Sequence, residues 1–411
     1  MDNFTPSDEL KEIIDSNENA DENDDSEVYQ STKNKDIVEI ETPEEIYHVL
    51  FAAGGTGGHL FPAVAVAEEL KELTDNKIKI SFIGTKHRIE ARVVPELGYD
   101  FYELNITGYT GFNLEVFLLP IRVIRSIIKS RAVIKIHKVN AVVCTGAYIS
   151  YPPGIAAKQL NKKLYLMESN VNVGKSIKML AEYATKIFTS FDKTAEFFDE
   201  DIRSKMINLG NPVRKYIKEE FDPIVAKKNY GLNPEKTSML IMGGSLGALS
   251  INKAVLDNLI YLNDSKIEVI WQTGKGYKHS LKLPPNVHQH EFIDNMAEAY
   301  AAVDFVFCRS GATTVSEITI VGKPSILVPL PSASNKEQQH NAEYLVSNEA
   351  GIILDNQDVS KKFKETIELM ISDKDKLIKM GENAKKLAKP DAARDIAIQI
   401  LSELSSYDPY D

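Results

Sequence analysis

An apolar run, Val49-Leu50-Phe51-Ala52-Ala53, passes directly into Gly54-Gly55-Thr56-Gly57-Gly58-His59. Beyond it, Leu60, Ala63, Val64, Ala67, Leu70 and Leu73 recur at three- and four-residue steps, the period of one helix face, and Pro62 is expected in the first turn, where proline is tolerated. The pattern predicts strand, glycine turn and helix. Four glycines within residues 54–58 remove side chains where backbone must come close to something, and the helix that follows aims unpaired N–H groups at the same place. An anion such as phosphate is the natural occupant, although a tight turn packed close to a sheet fits the same residues. No Gly-Lys-Ser/Thr follows, so this is not a P-loop, and Leu60 breaks the GxGxxG spacing.

The alternation of β-like and helix-like runs continues from residue 46 onward. Strands are expected at residues 78–83, 141–144, 164–167 and 187–189, the pattern of a parallel sheet with crossover helices, in which ligands collect beyond the carboxyl ends of the strands. The theme then repeats. Residues 238–242 lead into Gly243-Gly244-Ser245-Leu246-Gly247-Ala248, residues 268–272 into Gly274-Lys275-Gly276, and residues 302–308 into Arg309-Ser310-Gly311-Ala312-Thr313-Thr314-Val315-Ser316-Glu317. The first two glycine turns lie about 190 residues apart, the span of one α/β domain. We therefore expect an α/β protein with two similar domains whose glycine turns face a shared cleft, which a chain of 411 residues can accommodate.

Charge is unevenly spread. Residues 1–45 hold 16 Asp or Glu against 3 Lys, more than the whole net charge of −11, and so few apolar residues that this tail is expected to be disordered. Between positions 116 and 167 there is no Asp or Glu but nine Lys or Arg. That run follows Phe117 and Leu118 and sets Arg122, Arg125 and Lys129 on one helical face and Ile121, Ile124 and Ile128 on another. Such a segment suits an anionic lipid surface; an ordinary amphipathic helix with its isoleucines in the core fits equally. Little aromatic interleaving argues against nucleic acid. Cys144 and Cys308 provide neither a disulfide framework nor metal-ligand spacing, which fits a reducing compartment. No leader-like opening and no apolar stretch long enough for a bilayer is present, so a cytoplasmic protein is expected.

Two residues invite chemical readings. Beside a helix N-terminus the dipole disfavours imidazolium, so His59 should be neutral near pH 7 and able to accept a proton; it could also simply hydrogen-bond the turn. Thr314-Val315-Ser316-Glu317 fits a capping box. A carboxylate there can equally take the two hydroxyls of a ribose.

Gly54 to His59 with Phe61-Pro62, Gly146-Ala147-Tyr148-Ile149-Ser150, Leu209-Gly210-Asn211-Pro212-Val213-Arg214, residues 243–248, Glu291-Phe292-Ile293-Asp294-Asn295-Met296, and residues 308–317 with 338–342 occur in that order over about residues 47–405. Together they resemble the MurG family of peptidoglycan glycosyltransferases. The resemblance implies a GT-B fold, with two Rossmann-like domains around a central cleft and a C-terminal helix crossing back to the first. Beyond the acidic tail at 1–45, which has no counterpart in the family pattern, it implies an acceptor and membrane-facing domain at 46–211 completed by the helix at about 391–411, and a donor domain at 212–390. The implied reaction is transfer of N-acetylglucosamine, with inversion, from UDP-N-acetylglucosamine to the muramyl 4-hydroxyl of lipid I, giving lipid II, without cofactor or metal. His59 would be the base. Thr56, Gly57, Gly58, Asn170, Arg214, Ser245, Ile293, Ala312, Thr313, Thr314, Val315, Ser316, Glu317 and Gln338 would contact the donor, with Glu317 on the ribose, backbone at Ile293 on uracil, and Glu168 as an orienter. Phe117, Leu118, Arg122, Arg125 and Lys129 would meet the anionic membrane surface at the cytoplasmic face, peripherally, and the family allows for partners among cell-wall synthesis or division proteins. Met167 and Ser169 depart from the family's common His and Gln, and Leu246 from a frequent Gln. The competing readings are a transferase with a diacylglycerol or sterol acceptor, a non-catalytic nucleotide-sugar binder and a nicotinamide dehydrogenase.

Overall fold

The computed structural model describes residues 47–106, 119–244 and 246–405, so the acidic tail, Phe117, Leu118 and Ser245 lie outside the described residues. In the first half, β1 (Tyr47–Ala52), β2 (Ile78–Thr85), β3 (Asp100–Leu104), β4 (Ala141–Cys144), β5 (Lys163–Glu168), β6 (Lys186–Thr189) and β7 (Met206–Asn208) form one sheet in the order 3-2-1-4-5-6-7. In the second, β8 (Ser238–Met242), β9 (Glu268–Gln272), β10 (Val287–His290), β11 (Phe305–Cys308), β12 (Ser325–Leu327) and β13 (Gly351–Ile353) run in the order 10-9-8-11-12-13. Neighbouring strands are parallel throughout both sheets. Helices cover both faces of such sheets, so central strands are apolar without alternation; Val49, Leu50, Phe51 and Ala52 of β1 are all fully buried.

In each sheet the direction of winding reverses beside the first strand, between β1 and β4 and between β8 and β11. The crevice at such a switch point is where open parallel sheets bind ligands. The glycine segments at 54–58, 243–248 and 309–311 all follow strands that border these points.

Helix α1 (Gly57–Leu73) begins earlier than expected, with His59 and Leu60 amides both bonding the Thr56 carbonyl. Gly57 and Gly58 are thus its first helical residues, and Pro62 lies in the second turn, correcting the expectation of the first. Proline has no N–H for the Gly58 carbonyl, but Gly58 is exposed, so water can take that role.

Helix α2 (Leu119–Ile136) turns Ser126, Ser130, Val133 and Ile134 inward and leaves Ile121, Ile124 and Ile128 49 %, 57 % and 62 % exposed. The Ser130 hydroxyl donates to the Ser126 carbonyl at 2.8 Å, which satisfies it inside. The reading with these isoleucines in the core is therefore corrected. Among the described residues no helix is long and apolar enough to cross a membrane.

In the second half α3 (Leu249–Asp257) follows β8, α4 (Ala312–Val321) follows β11 and α5 (Glu337–Ser347) follows β12. The last helix, α6 (Ala392–Ser405), returns to the first half. It buries Ile396, Ala397, Ile400 and Leu404 in the same core as Val64, Ala67 and Leu70 of α1, the isoleucines and leucine each contributing on the order of 2 kcal/mol. Arg394 on α6 also pairs with Glu69 on α1 at 3.5 Å.

Candidate active site

His59 sits in the first turn of α1, half-buried, with Nδ1 2.8 Å from the Thr145 carbonyl oxygen at the end of β4. A carbonyl only accepts, so Nδ1 carries the hydrogen and the neutral ring presents its lone pair at Nε2. Nε2 has no partner among the described residues. Burial pushes the imidazole below its usual 6.5 and outweighs the Thr145 carbonyl, which favours the charged ring. Gly146 packs on that ring at φ +93°, and a Cβ there would lie 3.4 Å from His59 Cε1.

Behind the same turn is a residue that the sequence did not flag. Glu90 is fully buried; its Oε1 accepts from the Thr85 amide at 3.0 Å and the Thr85 hydroxyl at 2.6 Å, and its Oε2 from the Gly55 amide at 2.9 Å.

The first turn faces the second half directly. A Cβ on Gly58 would lie 4.0 Å from Thr313 Oγ1, in the first turn of α4, so the N-termini of α1 and α4 meet across the gap between the sheets. That threonine hydroxyl is buried without a hydrogen-bond partner. Arg214 lies alongside, its guanidinium 5.2 Å from the Phe61 ring and 4.7 Å from the Tyr216 ring, with Nη2 3.8 Å from Glu317 Oε1. Arg214 Nε is likewise buried and unpartnered. Unsatisfied polar atoms gathered at one cleft mark a place for a polar ligand.

Glu317 is not a cap. The helix it belongs to is capped by Gly311, without any side-chain bond, and the carboxylate accepts instead from the Tyr300 hydroxyl at 3.0 Å. Burial raises its pKa, with Arg214 opposing. This removes the capping-box alternative.

The second glycine turn opens onto a cavity of about 440 Å3 lined by Gly244, Gly247, Ser250, Arg309, Thr314 and Gln338, among others, a size that suits small-molecule sites. Arg309, also missed from sequence, is committed to the protein. It donates to the Val328 and Pro329 carbonyls, Asn356 Oδ1 and Ser250 Oγ, at 2.8–3.2 Å. Leu246, between two cavity glycines, is 91 % exposed. A larger cavity of about 930 Å3 lies at the amino-terminal end of the second sheet, away from the switch point. Its Lys227, Lys323 and Lys385 are spent on the carbonyls of Lys236, Val303 and Ile320.

A chain of amides joins the halves. Asn341 on α5 accepts from the Val171 amide at 3.1 Å and donates to Asn170 Oδ1 at 3.1 Å and the Ser310 carbonyl at 3.2 Å. Asn170 is held in turn by Glu168, which accepts from the Asn170 amide at 2.9 Å and the Gly174 amide at 2.8 Å. Burial lifts the Glu168 carboxyl to about 7.

Of the residues singled out from sequence, Thr56, Gly57, Gly58, His59, Arg214, Thr313, Thr314, Glu317 and Gln338 line this cleft or its cavity. Ala312 opens α4, and the Ser316 hydroxyl is turned back to the Ala312 carbonyl. The Val315 side chain is in the core and its amide bonds the Gly311 carbonyl. The Ile293 amide is taken by Gln272 Oε1 at 3.0 Å, which leaves its carbonyl for a base. Arg122, Arg125 and Lys129 lie on α2. Among the described residues no group of three or more His, Cys, Asp or Glu could hold a metal ion.

Residues 49–189 match the glycosyltransferase family 28 N-terminal domain and residues 238–396 the glycosyltransferase family 28 C-terminal domain. The UDP-N-acetylglucosamine–N-acetylmuramyl-(pentapeptide) pyrophosphoryl-undecaprenol N-acetylglucosamine transferase of Flavobacterium psychrophilum is 35 % identical over 371 residues, 88 % of this chain and 99 % of that protein. The enzyme of the same name from Chlorobium phaeobacteroides is 36 % identical over 86 % of this chain and 98 % of its own. Among solved structures, MurG of Acinetobacter baumannii superposes with a TM-score of 0.69 at 25 % identity, over 87 % of this chain and 99 % of that one. The calicheamicin glycosyltransferase CalG4 shares the fold at 15 % identity, with a TM-score of 0.64 and coverage of 88 % and 99 %. With both family domains present in order and relatives matched over nearly their whole length, the chain belongs to the MurG family within glycosyltransferase family 28.

Proposed function

We propose that the protein is an inverting N-acetylglucosaminyltransferase that moves the sugar from UDP-N-acetylglucosamine to the muramyl 4-hydroxyl of lipid I, producing lipid II for peptidoglycan synthesis. The observation that carries the mechanism is the His59 tautomer: Nδ1–H is spent on Thr145, which leaves Nε2 as a base. Nε2 takes the proton of the acceptor hydroxyl while that oxygen bonds the anomeric carbon and the bond from this carbon to the β-phosphate oxygen breaks. Charge gathering on UDP is met by the first amides of α1 and α4 and by Arg214. No cofactor is called for.

Residues 212–390 serve as the donor half, through Arg214, Ser245, Ile293, Ala312, Thr313, Thr314, Ser316, Glu317 and Gln338, with Glu317 on the ribose hydroxyls. Residues 46–211, completed by 391–411, serve as the acceptor half and lend Thr56, Gly57, Gly58 and Asn170 to the donor. Because the acceptor is tied to a lipid, the enzyme works peripherally at the cytoplasmic face of the membrane. Exposed isoleucines beside Arg125 and Lys129 on α2 support that reading. UDP release from UDP-N-acetylglucosamine with a lipid I analogue tests the activity, and absence of acceptor-dependent UDP release would overturn it. Sedimentation with anionic vesicles tests the membrane role, which fails if Ile124→Asp and Arg125→Ala leave binding intact.

A further inference from the structure

We infer that Glu90 is a positioning residue of the transferase, seating the first glycine turn so that the Gly57 and Gly58 amides and His59 face α4; the inference rests on the donor reading above.

Glu90 divides its two oxygens between two loops. Oε1 is held at the end of β2 by the Thr85 amide and hydroxyl, and Oε2 holds the Gly55 amide just beyond β1. All three partners are donors, and among the described residues no lysine or arginine pairs with the carboxylate. Burying a charge without a counterion is costly, and an apolar side chain would fill the same volume at no such cost. What an apolar side chain could not do is accept from both loops at once.

The surrounding glycines fit this purpose. A Cβ on Gly54 would overlap the Glu90 carboxyl group, and a Cβ on Gly84 would lie 2.6 Å from its Cγ. The glycine segment therefore has two tasks. Gly54 and Gly55 make room for and bind the carboxylate, and the Gly55 amide is no longer available to a phosphate. Gly57 and Gly58 begin α1 and keep their amides unbonded for a ligand. Only Thr56 separates the held residue from the helix, so a shift at Gly55 carries into the helix start and into His59 two residues on. Displacement of a reacting group by about 1 Å costs roughly 100-fold in rate.

Glu90→Gln tests this on the full-length protein. The amide nitrogen of glutamine must face either the Gly55 or the Thr85 donor, so one of the two holds is lost with little change in volume. The readouts are kcat with a lipid I analogue, the unfolding midpoint, and calorimetric affinities for UDP and for uridine, which lacks the diphosphate. The expected result is a kcat lowered about 10- to 100-fold and a weaker affinity for UDP, with uridine affinity unchanged and unfolding still cooperative. A kcat and UDP affinity within about twofold of wild type would overturn the inference, as would equal losses for UDP and uridine, the mark of general loosening. Should Glu90→Gln not fold, Thr85→Val removes only the 2.6 Å hydroxyl bond. It should show the same diphosphate-selective loss at smaller size, and an unchanged kcat there would overturn the inference. Wild type that neither binds UDP nor turns over would instead sink the donor reading itself.

Discussion

His59 donates from Nδ1 to the Thr145 carbonyl at 2.8 Å, across the switch point between β1 and β4. The bond fixes which nitrogen can act as base, and burial keeps the ring neutral below its usual 6.5. The active form is neutral, so kcat/KM should hold as pH falls through 6.5 and decline only at lower pH. His59→Ala should lower kcat by roughly 100- to 10,000-fold and abolish that acid limb. A limb that survives the substitution would assign the base elsewhere.

Gly146 is held at φ +93° against the imidazole. Gly146→Ala should cost about 1–2 kcal/mol of stability from the backbone alone, read by urea denaturation. Its methyl group would only touch the ring, at 3.4 Å from Cε1, so the loss should appear in stability while kcat of the folded protein stays within about twofold of wild type.

Arg214 reaches across the halves to stack on Phe61. A lysine keeps the charge but not the plane or the fork of donors. Arg214→Lys should therefore raise the KM for UDP-N-acetylglucosamine about tenfold, and Phe61→Leu should move it in the same direction by less. Steady-state kinetics at saturating acceptor would show it; an unaltered KM in Arg214→Lys would place the donor elsewhere.

Glu168 has its carboxyl raised from 4.5 to about 7 by burial. A raised folded-state value means that its contribution to stability is full below pH 4.5 and is lost as pH rises through 7. The loss amounts to at most roughly 3 kcal/mol. Urea denaturation between pH 5 and 8 should show this decline in wild type and a flatter profile in Glu168→Gln. Parallel profiles would mean that Glu168 titrates normally.

Central strands such as β1, β4 and β11 were legible because a strand buried on both faces reads as an unbroken apolar run, whereas the three-residue β12, central too, was too short to stand out. Edge strands were not: β3 (Asp-Phe-Tyr-Glu-Leu) and β10 (Val-His-Gln-His) face solvent on one side and carry polar residues that look like loop. The helix containing Glu317 misled for a local reason. Thr-Val-Ser-Glu has the spacing of a capping box, but Gly311 and Ala312 begin the helix earlier, so Glu317 falls in the second turn and turns toward Tyr300.

By itself the sequence determined the α/β class, the repeated strand, glycine turn and helix, and the nomination of His59, because apolar period and glycine content act over a few residues. Tertiary structure alone decided the partners of the polar groups. Strand order brings Glu90 to a glycine 35 residues away, His59 to a carbonyl 86 away and Val171 to an asparagine 170 away. No local pattern encodes such pairings, since each depends on which strands become neighbours and on the depth at which their ends are buried.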